Sequence, residues 1–170
     1  MAEALTFEKV WQMFQETDRK FQETDRKFKE LGIKFGDLGN RLGEFVEEMV
    51  KPACVRLFRE RGIVVHEVHS RTIFTDGKRT MELDLLVVND NELVAVECKS
   101  RLTQEAVERH LVRLSEIKSI VSKYEKMKIC GAVAGLVIDG DARELAERSG
   151  LFVLAQSGDS VTILNPDGFA

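Results

Sequence analysis

Three residues in the middle of the chain have the types and spacing to hold a divalent cation: Asp84, then Glu97 and Lys99. Asp84 lies between Leu83 and Leu85, and Glu97 lies within LVAVECK, runs that otherwise read as core. An ionised carboxylate buried without a partner is expensive, so such positions call for a cation nearby. Strand alternation places Glu97 and Lys99 on one face, with Val94, Val96 and Cys98 on the other. If 80–88 and 92–99 pair as a hairpin, Asp84 joins that same face. Two carboxylates and a lysine on one patch of sheet suit a divalent cation held by hard oxygens, with the lysine beside it. The plainer alternative is a buried ion-pair cluster without catalysis. A core built only for stability uses apolar residues instead.

The elements around these residues alternate between helix and strand. A helix is expected over about 42–61, with Val46, Met49, Val50, Ala53, Leu57 and Phe58 inward, Pro52 as a kink point, and Gly62 as its stop. Strands are expected at 63–69, 80–88 and 92–99, with Asn89-Asp90-Asn91 turning the second into the third. Asp76-Gly77 marks an earlier loop that carries Lys78 and Arg79. Residues 103–127 read as a long amphipathic helix, since Val107, Leu111, Leu114, Ile117, Ile120 and Val121 recur at helical spacing. The apolar run 131–138 reads as a strand buried on both faces. A short helix at 141–149, capped by Asp139 or Asp141, and strands at 151–155 and 161–164 complete the pattern. The expected class is α/β with a mixed sheet.

Upstream, FQETDRK at 14–20 is repeated unchanged at 21–27. With Phe7, Phe14, Phe21, Phe28, Phe35 and Leu42 at position a, position d becomes Val10, Thr17, Thr24, Leu31, Leu38 and Phe45. Six heptads with one apolar edge predict a coiled coil and self-association. The alternative, one amphipathic helix folded back on its own domain, is disfavoured because that edge is longer than a small domain could cover. Thr17 and Thr24 are poor knobs, and Gly32, Gly36, Gly39 and Gly43 weaken the helix, yet none of the glycines falls on the edge itself. The chain thus divides into a heptad segment, 1–41, and an α/β domain, 42–170.

Across 170 residues there are 25 basic and 29 acidic side chains, a net charge of −4. Residues 1–41 hold eight of each sign, so the acid excess belongs to 42–170. Net negative charge disfavours general binding of nucleic acid, because phosphate neutralisation dominates that affinity. Action on nucleic acid then requires the acids to be gathered in a metal site and the bases to line a groove elsewhere. No apolar run approaches the roughly 20 residues of a membrane helix. The first residues lack a basic segment followed by an apolar one, which argues against a signal peptide. Cys54, Cys98 and Cys130 are widely spaced and odd in number, which argues against a disulfide framework and for a reducing cytoplasm.

Asp84, twelve residues, then Glu97-Cys98-Lys99 resembles the PD-(D/E)XK nuclease core, in which a hairpin presents D…ExK. The order of helix, hairpin strands, long helix and further strand is also similar, over about 42–156. The heptad-rich start leading into GEFVEEMVKPACVRLFRERG looks like DUF3782, an uncharacterised bacterial family of nuclease-like proteins. The residue before the Asp is Leu83 where the superfamily often has Pro. The resemblance implies a restriction-endonuclease-like core with a mixed central sheet flanked by helices, preceded by an N-terminal coiled-coil helix. It also implies Mg²⁺ or Mn²⁺ held by Asp84, Glu97, the backbone carbonyl of Cys98 and an acid from the first helix. Glu47 is the favoured helix acid and Glu44 the second choice, with Glu48 pointing farther round. Lys99 would serve the attacking water, and the substrate would be DNA before RNA.

Other candidates carry less. His66 and His69 fall on opposite sides of a strand and cannot share one metal there. His110, with Arg109, Arg113 and Gln104, offers either a phosphate-contacting helix face or an ordinary solvated one. The Cys98 side chain is expected to point away from the metal face. No glycine-rich phosphate loop, GxSxG or Cys/His nucleophile pair is present. The competing functions are an oligomeric metal-dependent nuclease and an inactive nuclease-like module that works in assembly.

Overall fold

The computed structural model describes residues 6–169. The chain forms two compact units, Met1–Arg41 and Leu42–Ala170. One helix, α1 (Phe7–Glu60), supplies the first unit and opens the second, so the helix expected at 42–61 is the end of a longer one. Pro52 lies inside it, and Gly62, at φ 81°, follows its last turn. Among the described residues, no helix is long and apolar enough to cross a membrane.

In the first unit the apolar edge lies open. Phe14, Phe21 and Phe28 are 66–68% exposed, and Leu31, Phe35 and Leu38 are exposed too. Exposed i,i+4 pairs run along the helix, Lys20 to Glu16 at 2.8 Å and Lys27 to Glu23 at 2.7 Å.

The second unit is built on a six-stranded mixed sheet in the order β1-β2-β3-β4-β5-β6. The strands are β1 (Glu67–Thr75), β2 (Thr80–Val88), β3 (Glu92–Leu102), β4 (Lys128–Ile138), β5 (Phe152–Ser157) and β6 (Ser160–Ile163). β1, β2 and β3 are antiparallel neighbours, β3, β4 and β5 run parallel, and β6 returns antiparallel. Between β3 and β4 lies α2 (Gln104–Ile120), whose start is capped by the Thr103 hydroxyl accepting the Ala106 amide at 3.4 Å. Between β4 and β5 lies α3 (Gly140–Arg148). Each helix joins parallel strands, as a crossover must.

Both faces of the sheet are covered. Val46, Val50, Cys54, Leu57 and Phe58 of α1 pack on Leu85, Val87, Val94, Val96 and Cys98. On the other face Ile117 and Ile120 of α2 meet Leu83, Leu86, Leu93 and Ala95. Farther along, Val107 of α2 and Ala142 and Ala146 of α3 meet Leu102, Val133 and Val153. Double burial explains the continuous apolar runs of β3, β4 and β5.

Two expectations are corrected. The strand read at 63–69 begins only at Glu67 and continues through SRTIFT to Thr75. Ser70, Arg71 and Thr72 break the apolar signal there, and the segment is held by five positions paired with β2, Ser70 and Thr72 to Thr75. The helix read to 127 stops at Ile120; a single 3-10 turn, Ser122–Tyr124, leads into β4.

Candidate functional site

Asp84 stands where two strands change face. Leu85 and Val87 pack against α1, whereas Met81 and Leu83 pack against the α2 side. Leu83 and Leu85 are two apart and would share a face on a regular strand, so β2 reverses at Asp84. β1 reverses with it: Val68 packs toward α1 and Phe74 toward the α2 side. Arg71, between the positions paired to Leu83 and Leu85, has φ 49°, the one positive value outside glycine among the described residues. A non-glycine residue in that region marks local strain.

The same place ends the ladder between β2 and β3, whose last pair is Leu85–Val96. Beyond it the strands separate. Asp84 therefore meets β3 through its side chain: its Oδ2 accepts the Cys98 amide at 2.7 Å. Lys99 Nζ lies 2.7 Å from Glu97 Oε1 and 3.7 Å from Asp84 Oδ2, so one ammonium joins both carboxylates. Asp84, Glu97 and Lys99 are brought together at the open end of a ladder and not as neighbours along it. The Cys98 side chain turns to the α1 core.

Glu97 is only 2% exposed, and a second cation reaches it: Arg113 of α2 pairs with Oε2. His110, one helical turn earlier, is fully buried. Its Nε2 lies 3.1 Å from the Ala95 carbonyl, and its Nδ1, without a hydrogen-bond partner, sits 3.9 Å from Glu97 Oε2. This corrects the reading of His110 and Arg113 as a phosphate-contacting or solvated face. His110 shares the stripe of Val107, Leu114 and Ile117, so helical phase alone assigns it inward.

The charges follow from these contacts. Burial, then the charge of Glu97, pushes the Asp84 carboxyl above its ordinary value, against the pull of the Cys98 amide and Lys99. Burial also pushes Glu97 upward, but Arg113 and Lys99 outweigh it and leave Glu97 below the usual carboxylate value. Burial lowers Lys99, yet Glu97 and Asp84 hold it above the ordinary lysine value. The His110 imidazole is pushed down to about 4 by burial, so it is neutral near pH 7. Burial raises the Cys98 thiol, which makes it a poor nucleophile.

Glu47 approaches from α1, half-buried, and its charge adds to the upward push on Asp84. It is tied to Arg71 at 3.2 Å, and the same guanidinium holds Glu44 at 3.0 Å. Glu48 is exposed. Among the described residues, no three His, Cys, Asp or Glu side chains stand together as a ready cation cage. His66 lies 3.5 Å from Asp90 and His69 2.7 Å from Glu67.

No protein-family model matches the chain, and no curated protein matches it. Among solved structures it is similar to a repair endonuclease from Pyrococcus abyssi, at 17% identity and TM-score 0.46, covering 63% of this chain and 45% of that one. It is also similar to a protein of unknown function, AF1548, at 17% identity and TM-score 0.44, covering 64% and 58% respectively. A third is the EndoMS–dsDNA2 complex, at 18% identity and TM-score 0.39, covering 52% and 36%. The chain spans about half the length of the first two. These likenesses concern the course of the backbone and assign no residue a role.

Proposed function

We infer that the unit 42–170 is a metal-dependent phosphodiesterase acting on nucleic acid, DNA in the first instance. The observation that carries this reading is Lys99 Nζ lying between the carboxylates of Asp84 and Glu97. The donor set suits a hard divalent cation, since the upward push on Asp84 comes partly from the charge of Glu97, a crowding that a cation relieves. Mg²⁺ or Mn²⁺ would be held by Asp84 and Glu97 with the Cys98 backbone carbonyl, and by Glu47 once it leaves Arg71. Bound there, such an ion supplies an acidified water and offsets charge on the phosphate.

The chain's own residues do the rest. Lys99, part-exposed beside both carboxylates, orients the attacking water and faces the charge that grows on phosphate. Arg113 and the neutral His110 fix Glu97 from the helix side, so its carboxylate keeps one orientation. The heptads over 7–45 supply a surface for self-association.

A second reading, an inactive nuclease-like module, is favoured by one observation: both oxygens of Glu97 already face cations. Calorimetric titration with Mn²⁺ separates the two. The nuclease reading expects binding that disappears in Asp84→Ala, and cleavage in a screen of linear, nicked, branched and single-stranded substrates. No Mn²⁺ binding by the full chain would send the function to the second reading.

A further inference from the structure

The heptads carry a charge pattern as well as an apolar edge. In the four heptads from Phe14 to Arg41, position g holds Lys20, Lys27, Lys34 and Arg41, while position e holds Asp18, Asp25, Gly32 and Gly39; the first heptad has Met13 at g and Trp11 at e. One flank of the edge is basic and the other is acidic or neutral.

This difference decides the direction in which two such helices pair. In a parallel pair, each g faces the following e of the other helix, so Lys20 meets Asp25. Lys27 and Lys34 then meet Gly32 and Gly39, where even an added Cβ finds nothing within 4 Å in the single chain. The aliphatic stems of those lysines can lie across the gap and cover the phenylalanine edge. In an antiparallel pair g faces g and e faces e. Four basic residues then oppose four, which is repulsive, while Asp18 and Asp25 face Gly39 and Gly32 and offset none of it. Lys20 and Lys27 do lean on Glu16 and Glu23 of their own helix, but exposed pairs of this kind are weak and easily shared.

The period also selects the occupant of the edge. A strict seven-residue repeat drifts by ~20° per heptad on a straight helix, or about 100° over the five heptads from Phe7 to Leu42. A flat lipid surface cannot follow that turn, whereas a helix that supercoils with it can.

We propose that the exposed edge of 7–41 is covered by a second copy of this chain, parallel and in register. The proposal rests on the self-association reading above and adds its direction. Both chains then leave the coil at the same end, and the dimer carries two copies of 42–170.

Val10→Cys and Leu38→Cys, at d positions near the two ends, test this in the full chain. A parallel in-register pair brings each new thiol within disulfide reach of its own counterpart. Mild oxidation and non-reducing gels are expected to give cross-linked dimer for each variant alone, and little more when the two are mixed. The unsubstituted chain, whose Cys130 is half-buried, sets the baseline. Cross-linking confined to the mixture, or no cross-linking in a chain that sediments as an oligomer, overturns the parallel register and leaves self-association standing. A monomer by sedimentation at micromolar concentration overturns both.

Discussion

Glu97 stays ionised at 2% exposure because cations reach both of its oxygens, and those cations are not equivalent. Arg113 comes from α2 and secures the oxygen nearest His110. Lys99 stands more exposed, touching Asp84 as well. Lys99→Ala therefore leaves Glu97 paired. The expected result is a small loss of thermal stability with a fall in cleavage on the order of 10²–10³-fold. Divalent binding is kept or tightened, because a positive charge beside the ligands is gone. Thermal unfolding with and without Mg²⁺, run beside the cleavage assay, measures this. A large destabilisation that Mg²⁺ does not recover would count for a structural ion cluster. His110 gives a separate signal. Its pKa is about 4 in the fold against 6.5 ordinarily, so between those values the unfolded chain takes up a proton that the folded chain refuses. Stability is whole above the upper value and falls as the pH drops toward the lower. The lowered Glu97 adds its own loss from its ordinary value of 4.5 downward, completed as the pH falls through its folded pKa. His110→Gln is expected to flatten the fall in denaturant midpoint between the two His110 values. An unchanged slope would remove His110 as its source.

At the scale of elements, the site exists because β1 and β2 reverse face together while the β2–β3 ladder stops. The reversal frees the Asp84 side chain to cap the Cys98 amide, and it puts Arg71 at φ 49°. Arg71 also ties Glu44 and Glu47 of α1 to the hairpin. Two substitutions separate backbone from charge, since each removes the guanidinium. Arg71→Gly suits positive φ, so the losses are the exposed pair with Glu44, worth ~0–1 kcal/mol, and the pair with the half-buried Glu47. Arg71→Val places a β-branched residue at that φ and is expected to cost a further ~1–3 kcal/mol. Equal urea midpoints for the two variants would show that the reversal stores no strain at Arg71. α2 acts as the second positioning element. Its residues His110 and Arg113 lie one turn apart on the face packed against β3, which brings both to Glu97.

For the molecule as a whole, the proposed self-association belongs to one unit and the proposed chemistry to the other, so each proposal is tested by disturbing one unit. Phe14, Phe21 and Phe28 are 66–68% exposed and belong to none of the apolar clusters of the sheet domain, so replacing all three with Asp leaves those clusters intact. Sedimentation is expected to shift to the monomer while the thermal transition of 42–170 stays in place. A triple variant that remains oligomeric would put the self-association surface elsewhere. The boundary of these roles lies in local patterns, and local patterns are what the sequence by itself determined. The heptad phase, the turn at Asn89-Asp90-Asn91 between two strands, and the alternation that sets Glu97 and Lys99 against Cys98 each arise within a few residues of chain. The mixed sheet flanked by helices follows from their order. What only the tertiary structure decided depends on contacts distant in sequence. SRTIFT is a strand because β2 pairs with it, and no periodicity of its own announces that. Arg71 reaches Glu44 and Glu47 across 24 positions or more, which no local rule foresees. His110 and Arg113 face Glu97 because α2 lays that side on β3. The helical phase could assign His110 inward, but the charge it would meet there was fixed only when the strands and helix packed together.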